Sequence, residues 1–217
     1  ANANAGSGNF YSAILTFASL TRNNNATINF TGSNLGQLSN SGGIIFTTPP
    51  STVGGGYLGA WAIANTTDYA AYNASQGVGP AGQGGFAAYE ADFGAGKVTQ
   101  LTATADRTLT LPSGGATTGM LKIANAFTHN IEFAAASDVL NLELGGLLRS
   151  NDNNASRIGT TALRGVITSG LGELVVFNAQ NTLTINSIIQ GSTKLVKDGA
   201  GTLTLTAANT YSLGTVF

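Results

Sequence analysis

Apolar and polar residues alternate with a period of two along most of this chain, and helical periodicity is nearly absent. Ile28-Asn29-Phe30, Leu109-Thr110-Leu111, Leu140-Asn141-Leu142-Glu143-Leu144, Leu183-Thr184-Ile185 and Leu203-Thr204-Leu205 each put apolar side chains on one face and polar ones on the other. That is the pattern of a half-buried strand. Turn clusters separate these runs: Arg22-Asn23-Asn24-Asn25, Ser113-Gly114-Gly115, Ser150-Asn151-Asp152-Asn153-Asn154 and Asp198-Gly199-Ala200-Gly201. Gly and Asn enter tight or left-handed turns at the lowest cost. The predicted fold class is all-β.

Spacing narrows the architecture. Leu101, Leu121, Leu142, Leu163, Leu183 and Leu203 recur at steps of about 20 residues, a period that signals stacked repeats. A short strand and its turn cannot bury an apolar face alone, but they can when stacked on neighbours. Evenly spaced short strands also fit a β-sandwich or barrel. The scarcity of charge and the in-step recurrence of similar residues favour a β-solenoid, where Leu lies over Leu and Thr or Asn over itself. Residues 42–96 depart from the pattern, with Pro49-Pro50, Gly54-Gly55-Gly56 and the aromatics Tyr57, Trp61, Tyr69, Tyr72, Phe86 and Tyr89. The expected organisation is N-terminal solenoid coils over 1–41, an aromatic and Gly-rich lateral insertion packed on the solenoid flank over 42–96, and further coils over 97–217.

Composition removes several classes of function. Of 217 residues 42% are hydrophobic, so the chain lacks the low hydrophobicity and high charge of a disordered one. Charged residues are 9%, against roughly 25% in ordinary soluble domains, so Thr, Ser and Asn must carry the surface. A net charge of −1 leaves no electrostatic footprint for nucleic acid or an anionic membrane. The absence of cysteine excludes disulfides and thiolate metal sites. No run approaches the ~18 apolar residues of a membrane helix, so no membrane insertion is expected of this segment. The Ala1 start and the strand-like Thr215-Val216-Phe217 finish lead us to expect a segment of something longer.

The C-terminal run Lys194–Thr215 carries a more specific signal. Lys197, Gly199, Gly201, Leu203, Leu205, Asn209, Tyr211 and Gly214 match a pattern of lysine, Gly-x-Gly-Thr-Leu-x-Leu, then Asn-Thr-Tyr-x-Gly-Gly-Thr. The run resembles the autotransporter-associated β-strand repeat, also called the passenger-associated transport repeat, with Leu213 standing where that family usually has glycine. The preceding Leu183–Gly191 stretch looks like the strand and corner that commonly go before this repeat. Looser likenesses are Leu15–Leu20 and the Gly59–Ala64 and Asp68–Tyr72 segments.

The resemblance implies a right-handed parallel β-helix exported to the cell surface or beyond, and the repeat lattice, the low charge and the chain ends lead us to expect a structural or adhesive segment of a large secreted bacterial surface protein or extracellular fibre. The expected partners are further copies or modules end to end, and glycans or host and neighbour surfaces. The physics of the motif agrees with such a coil. Gly199 and Gly201 permit the turn, Leu203 and Leu205 point inward, and Thr202, Thr204 and Thr206 point outward. Asn209 is placed to satisfy backbone groups at a corner, and Tyr211 to cover the edge of the next coil.

Candidate chemistry is sparse. His129 is the one histidine, cannot close a zinc site alone, and is expected in a solvent-facing loop. Glu90 and Asp92 alternate in Tyr89–Phe93 and would share a face, as paired acids must for polysaccharide cleavage, but only Lys97 supplies a nearby cation. Asp152 with Arg149 and Arg157 is a candidate sugar contact in an Asn-rich loop. Trp61 with Tyr57, Tyr69 and Tyr72 is either a glycan-stacking platform or a small core. Those aromatics make a glycan-binding or polysaccharide-cleaving β-helix the alternative reading. Asn-x-Ser/Thr sequons stand at Asn25, Asn29, Asn65, Asn73 and Asn154, with Asn25 and Asn154 the best placed acceptors. Neither a calcium-binding nonapeptide series nor a phosphate loop occurs. The expectation is a non-enzyme with no catalytic residue, cofactor or metal.

Overall fold

Period-two runs of four or five residues make one rung of a sheet and gain their burial by stacking. The computed structural model describes residues 13–37, 42–124, 127–150 and 154–217. All of its regular elements are β-strands, with no helix among the described residues. Internal contacts divide the chain into two units between Ala88 and Tyr89.

The first unit holds β1 (Ala13–Phe17), β2 (Ile28–Phe30), β3 (Gly42–Phe46), β4 (Ala62–Ala64), β5 (Asp68–Asn73) and β6 (Gly77–Pro80). β3 lies parallel on β1, Ala13 opposite Gly42 through Phe17 opposite Phe46, and β4 lies parallel on β2. Parallel stacking therefore runs on past residue 41, into the stretch where composition changes. What leaves that pattern is an antiparallel meander, β4–β5–β6. Its first turn places Asn65 and Thr66 at φ 53° and 62°. Phe30, Leu35, Phe46, Leu58 and Val78 with small alanines form this unit's core, and Trp61 and Tyr72 pack against it.

The second unit is a β-solenoid of about five coils. It begins with β7 (Gly94–Leu101). The first coil is β8 (Arg107–Thr110) and β9 (Gly115–Ala124), the second β10 (His129–Glu132) and β11 (Val139–Ser150). Three more coils follow: β12 (Ser156–Ile158), β13 (Val166–Ser169) and β14 (Glu173–Asn178); β15 (Thr182–Ile185), β16 (Ile188–Gly191) and β17 (Lys194–Asp198); β18 (Thr202–Leu205), β19 (Thr210–Tyr211) and β20 (Thr215–Val216). Every pairing among these strands is parallel. β9 and β11 each serve two faces, and β11 shifts register between Leu142 and Gly146 as it rounds the corner.

Stacking in register sets like upon like. On the first face Leu109, Ile131, Ile158, Ile185 and Leu205 form one column. On the second, Ala116, Leu140, Ile167 and Ile189 align. On the third, Leu121, Leu147 and Val176 align. These columns meet in one apolar interior, where most members are fully buried. Burying each aliphatic side chain contributes about 1.5–3 kcal/mol.

The corners need special backbone. Gly145 sits at φ 67°, and a Cβ there would collide with the Glu173 carbonyl oxygen of the next coil. Asparagines hold other corners: the Asn186 Nδ2 donates to the Gly159 oxygen at 2.9 Å, and the Asn178 Nδ2 to the Thr202 oxygen at 2.9 Å.

The regular leucine step appears in a corrected form. The first-face column advances by 22, 27, 27 and 20 residues, because turn length varies from coil to coil. Leu183 lies on Leu203 as the spacing predicts. Leu101 instead faces Ile123, and Leu121 faces Leu147. Leu163 is 40% exposed in a turn.

Candidate functional site

The repeat-like run supplies β17 and the whole fifth coil, and each motif residue has a mechanical task. Gly199 takes φ 80° at the turn, where a Cβ would collide with the Asn178 carbonyl oxygen. At Gly201 a Cβ would lie 2.5 Å from the Asn178 Nδ2. Leu203 and Leu205 pack against the interior, while Thr202, Thr204 and Thr206 are exposed. The Asn209 Oδ1 accepts from the Ile189 backbone N–H at 2.8 Å and so ties the fifth coil to the fourth. The Tyr211 ring packs against the interior cluster, with its hydroxyl 2.7 Å from the Thr215 Oγ1.

Gly214 itself takes φ 80°, so the closing turn forms with Leu213 pointing out at 51% exposure. The Lys197 Nζ donates to the Asp198 and Gly199 carbonyls at 2.8 and 2.7 Å. Its pKa lies below the usual 10.5, because burial disfavours the charged form, and the neighbouring Asp198 carboxylate opposes part of that effect.

Each unit has, among the described residues, strands paired on one side alone. β18, β19 and β20 pair on one side, with β15, β16 and β17. In the first unit β1 pairs with β3 alone. There Ile14, Leu15 and Phe17 are about half exposed, at 52%, 49% and 50%. An apolar groove of about 320 Å3 opens beside them, lined by Leu15, Phe17, Leu20, Ile28, Ile44 and Phe46.

The other sequence candidates separate. Tyr57 and Tyr69 are 1% exposed and in edge-to-face contact with each other, and the Tyr57 hydroxyl donates to the Ala88 oxygen. A stacking platform needs an open ring face, so these two cannot serve as one. Trp61 and Tyr72 are half-buried. Arg22 lies over the Trp61 ring at 5.5 Å, and the Tyr72 hydroxyl bonds the Phe46 backbone.

His129 corrects the expectation of a solvent-facing loop. It lies within β10 at 1% exposure, on the same side of the strand as Ile131 and Phe133. The Tyr89–Phe93 run is a single bridge at Glu90 followed by a bend, not a strand, with both Glu90 and Asp92 exposed. Of the sugar-contact triad, Asp152 lies outside the described residues. Arg149 is buried at 1%, donating to the Asn178 Oδ1, the Gln180 oxygen and the Asn154 oxygen. Arg157 pairs with Glu132 at 2.5 Å on the outer surface. Among the sequons, Asn29, Asn65 and Asn73 accept backbone N–H bonds through their side chains. Asn25 and Asn154 are partly exposed, and the Ser156 of the Asn154 sequon is buried. Among the described residues no group of three His, Cys, Asp or Glu side chains could hold a metal ion.

The Asn-rich stretch after Arg149 hides its place in the interior, although Leu147-Leu148-Arg149 keeps the strand parity that points it inward. A scan with protein-family models, a search of curated proteins and a search of solved structures find no match to this chain.

Proposed function

We propose that this chain is a structural and adhesive segment of a large secreted bacterial surface protein or extracellular fibre, in which coils stack end to end. The observation that carries the reading is the fifth coil. The Lys194–Thr215 run, which resembles a surface-protein repeat, lays β18 to β20 on the fourth coil in register, 20 residues on, without disturbing the columns beneath. A coil added by so regular a step can be followed by another of the same kind. Low charge supports this, since parallel stacking sets each side chain beside its counterpart and like charges there repel. The apolar, half-exposed β1 edge supports it too, because an uncovered parallel edge is a template for pairing.

Association in solution tests the proposal. Sedimentation velocity over a rising concentration series should show growing species. Lysine at Thr204 and Val216, which blunts a strand edge, should return the protein to a single slow species while leaving its circular dichroism intact. A concentration-independent monomer in the unsubstituted protein would count against stacking.

A further inference from the structure

We propose that the start of the second unit, from the residues before β7 to β8, carries a binding site for a neutral sugar residue, held between Asp92 and Arg107. A cavity of about 250 Å3 lies among Ala91–Phe93, Gln100–Thr102, Arg107 and Leu109. Its floor is apolar: the buried Leu101 belongs to the interior cluster, and the half-buried Phe93 and Leu109 pack against it. Its rim is polar, with Asp92, Gln100 and Arg107.

The rim side chains are uncommitted. The Asp92 carboxylate, the Gln100 amide and the Arg107 guanidinium make no hydrogen bond or ion pair among the described residues. Their backbones, by contrast, are fixed. The Asp92 carbonyl accepts from the Thr99 Oγ1 at 3.1 Å, and that hydroxyl lies 2.8 Å from the buried Thr118 Oγ1. The Gln100 N–H donates to the Glu90 oxygen at 2.8 Å, and the Arg107 N–H to the Thr128 oxygen at 2.9 Å. Polar groups held on a rigid frame over an apolar floor are the usual makeup of a small-ligand site.

The chemistry selects the ligand class. A sugar ring offers a C–H face to Phe93 and the leucines and a periphery of hydroxyls. A carboxylate accepts from hydroxyls, a guanidinium donates to their oxygens, and an amide does both. Asp92 and Arg107 offset each other, and the Asp106 carboxylate of the adjoining cavity, which accepts from the Thr128 N–H, leaves the surroundings net negative, which disfavours an isolated phosphate. A free amino acid would also satisfy opposite charges. However, a second cavity of about 440 Å3, lined by Thr102 to Arg107, adjoins the first and shares Thr102 and Arg107 with it. That open depression along the Thr102–Arg107 loop offers hydroxyl contacts beyond the reach of a single amino acid. The site stands apart from the stacking proposal and does not rest on it.

The test is an array of neutral oligosaccharides probed with the whole chain, followed by NMR titration with the sugars that bind and, in parallel, with glycine. Saturable binding to saccharides is expected. Asp92→Asn and Arg107→Gln should each weaken it about tenfold or more, as loss of a hydrogen bond to a charged group does. Both side chains are exposed and unpaired, so the thermal midpoint should not move. No saccharide signal, equal affinity in both variants, or binding of glycine in place of sugar would each overturn the proposal.

Discussion

Lys197 shows how a single residue can belong to the interior and the surface at once. It extends the inner column of Leu121, Leu147 and Val176, so its stem covers the interior while the ammonium reaches the corner carbonyls. Burial lowers its pKa below 10.5, so at pH values between the lowered value and 10.5 the unfolded chain binds more protons than the folded one. Stability from this group therefore rises with pH across that window. Measured against Lys197→Met, the wild-type stability should improve as pH is raised from neutral towards 10.5. A flat or falling difference in paired denaturation curves would refute this. The position of His129 was legible in principle, since His129, Ile131 and Phe133 keep strict alternation. Against that, a polar residue flanked by Thr128 and Asn130 has the look of a loop, because only its neighbours in space make the site apolar.

At the scale of the element, the unit of stability is the column. Ile158 sits mid-column on the first face and is fully buried, so Ile158→Ala leaves a hole between Ile131 and Ile185. It should cost about 2–5 kcal/mol, while Thr204→Ala on the exposed side should stay within about 0.5 kcal/mol. Chemical denaturation of the two variants checks the contrast, and near-equal costs would mean the column is not the load-carrying feature. Strand identity was legible for Leu183–Ile185 and Leu203–Leu205 because the last two coils share one length. The partners of Leu101, Leu121 and Leu163 were not, because turns such as the one from Gly159 to Gly165 lengthen their coils. A fixed period cannot see an insertion that leaves the stack unchanged.

For the whole molecule, the division between Ala88 and Tyr89 left no mark in composition, which changes near residue 42 instead. That change reflects the small, Gly- and Ala-rich meander of β4 to β6, while β3 before it still stacks on β1. The Asp92–Arg107 pocket was equally hidden: its members come from three separate stretches, brought together only when the first coil closes. What the sequence did carry was the logic of the stack, because in-register pairing repeats one environment many times.

The most direct test of a stack of additive coils is to duplicate one. Repeating residues 182–201 in tandem inserts one full step between Thr182 and Thr202, which are paired across coils four and five. Nearest-neighbour additivity predicts a folded protein with a denaturation midpoint equal to or above the original and a particle longer by one rung, about 4.8 Å, in small-angle scattering. A protein that loses cooperative unfolding, or unfolds at lower denaturant, would contradict the account.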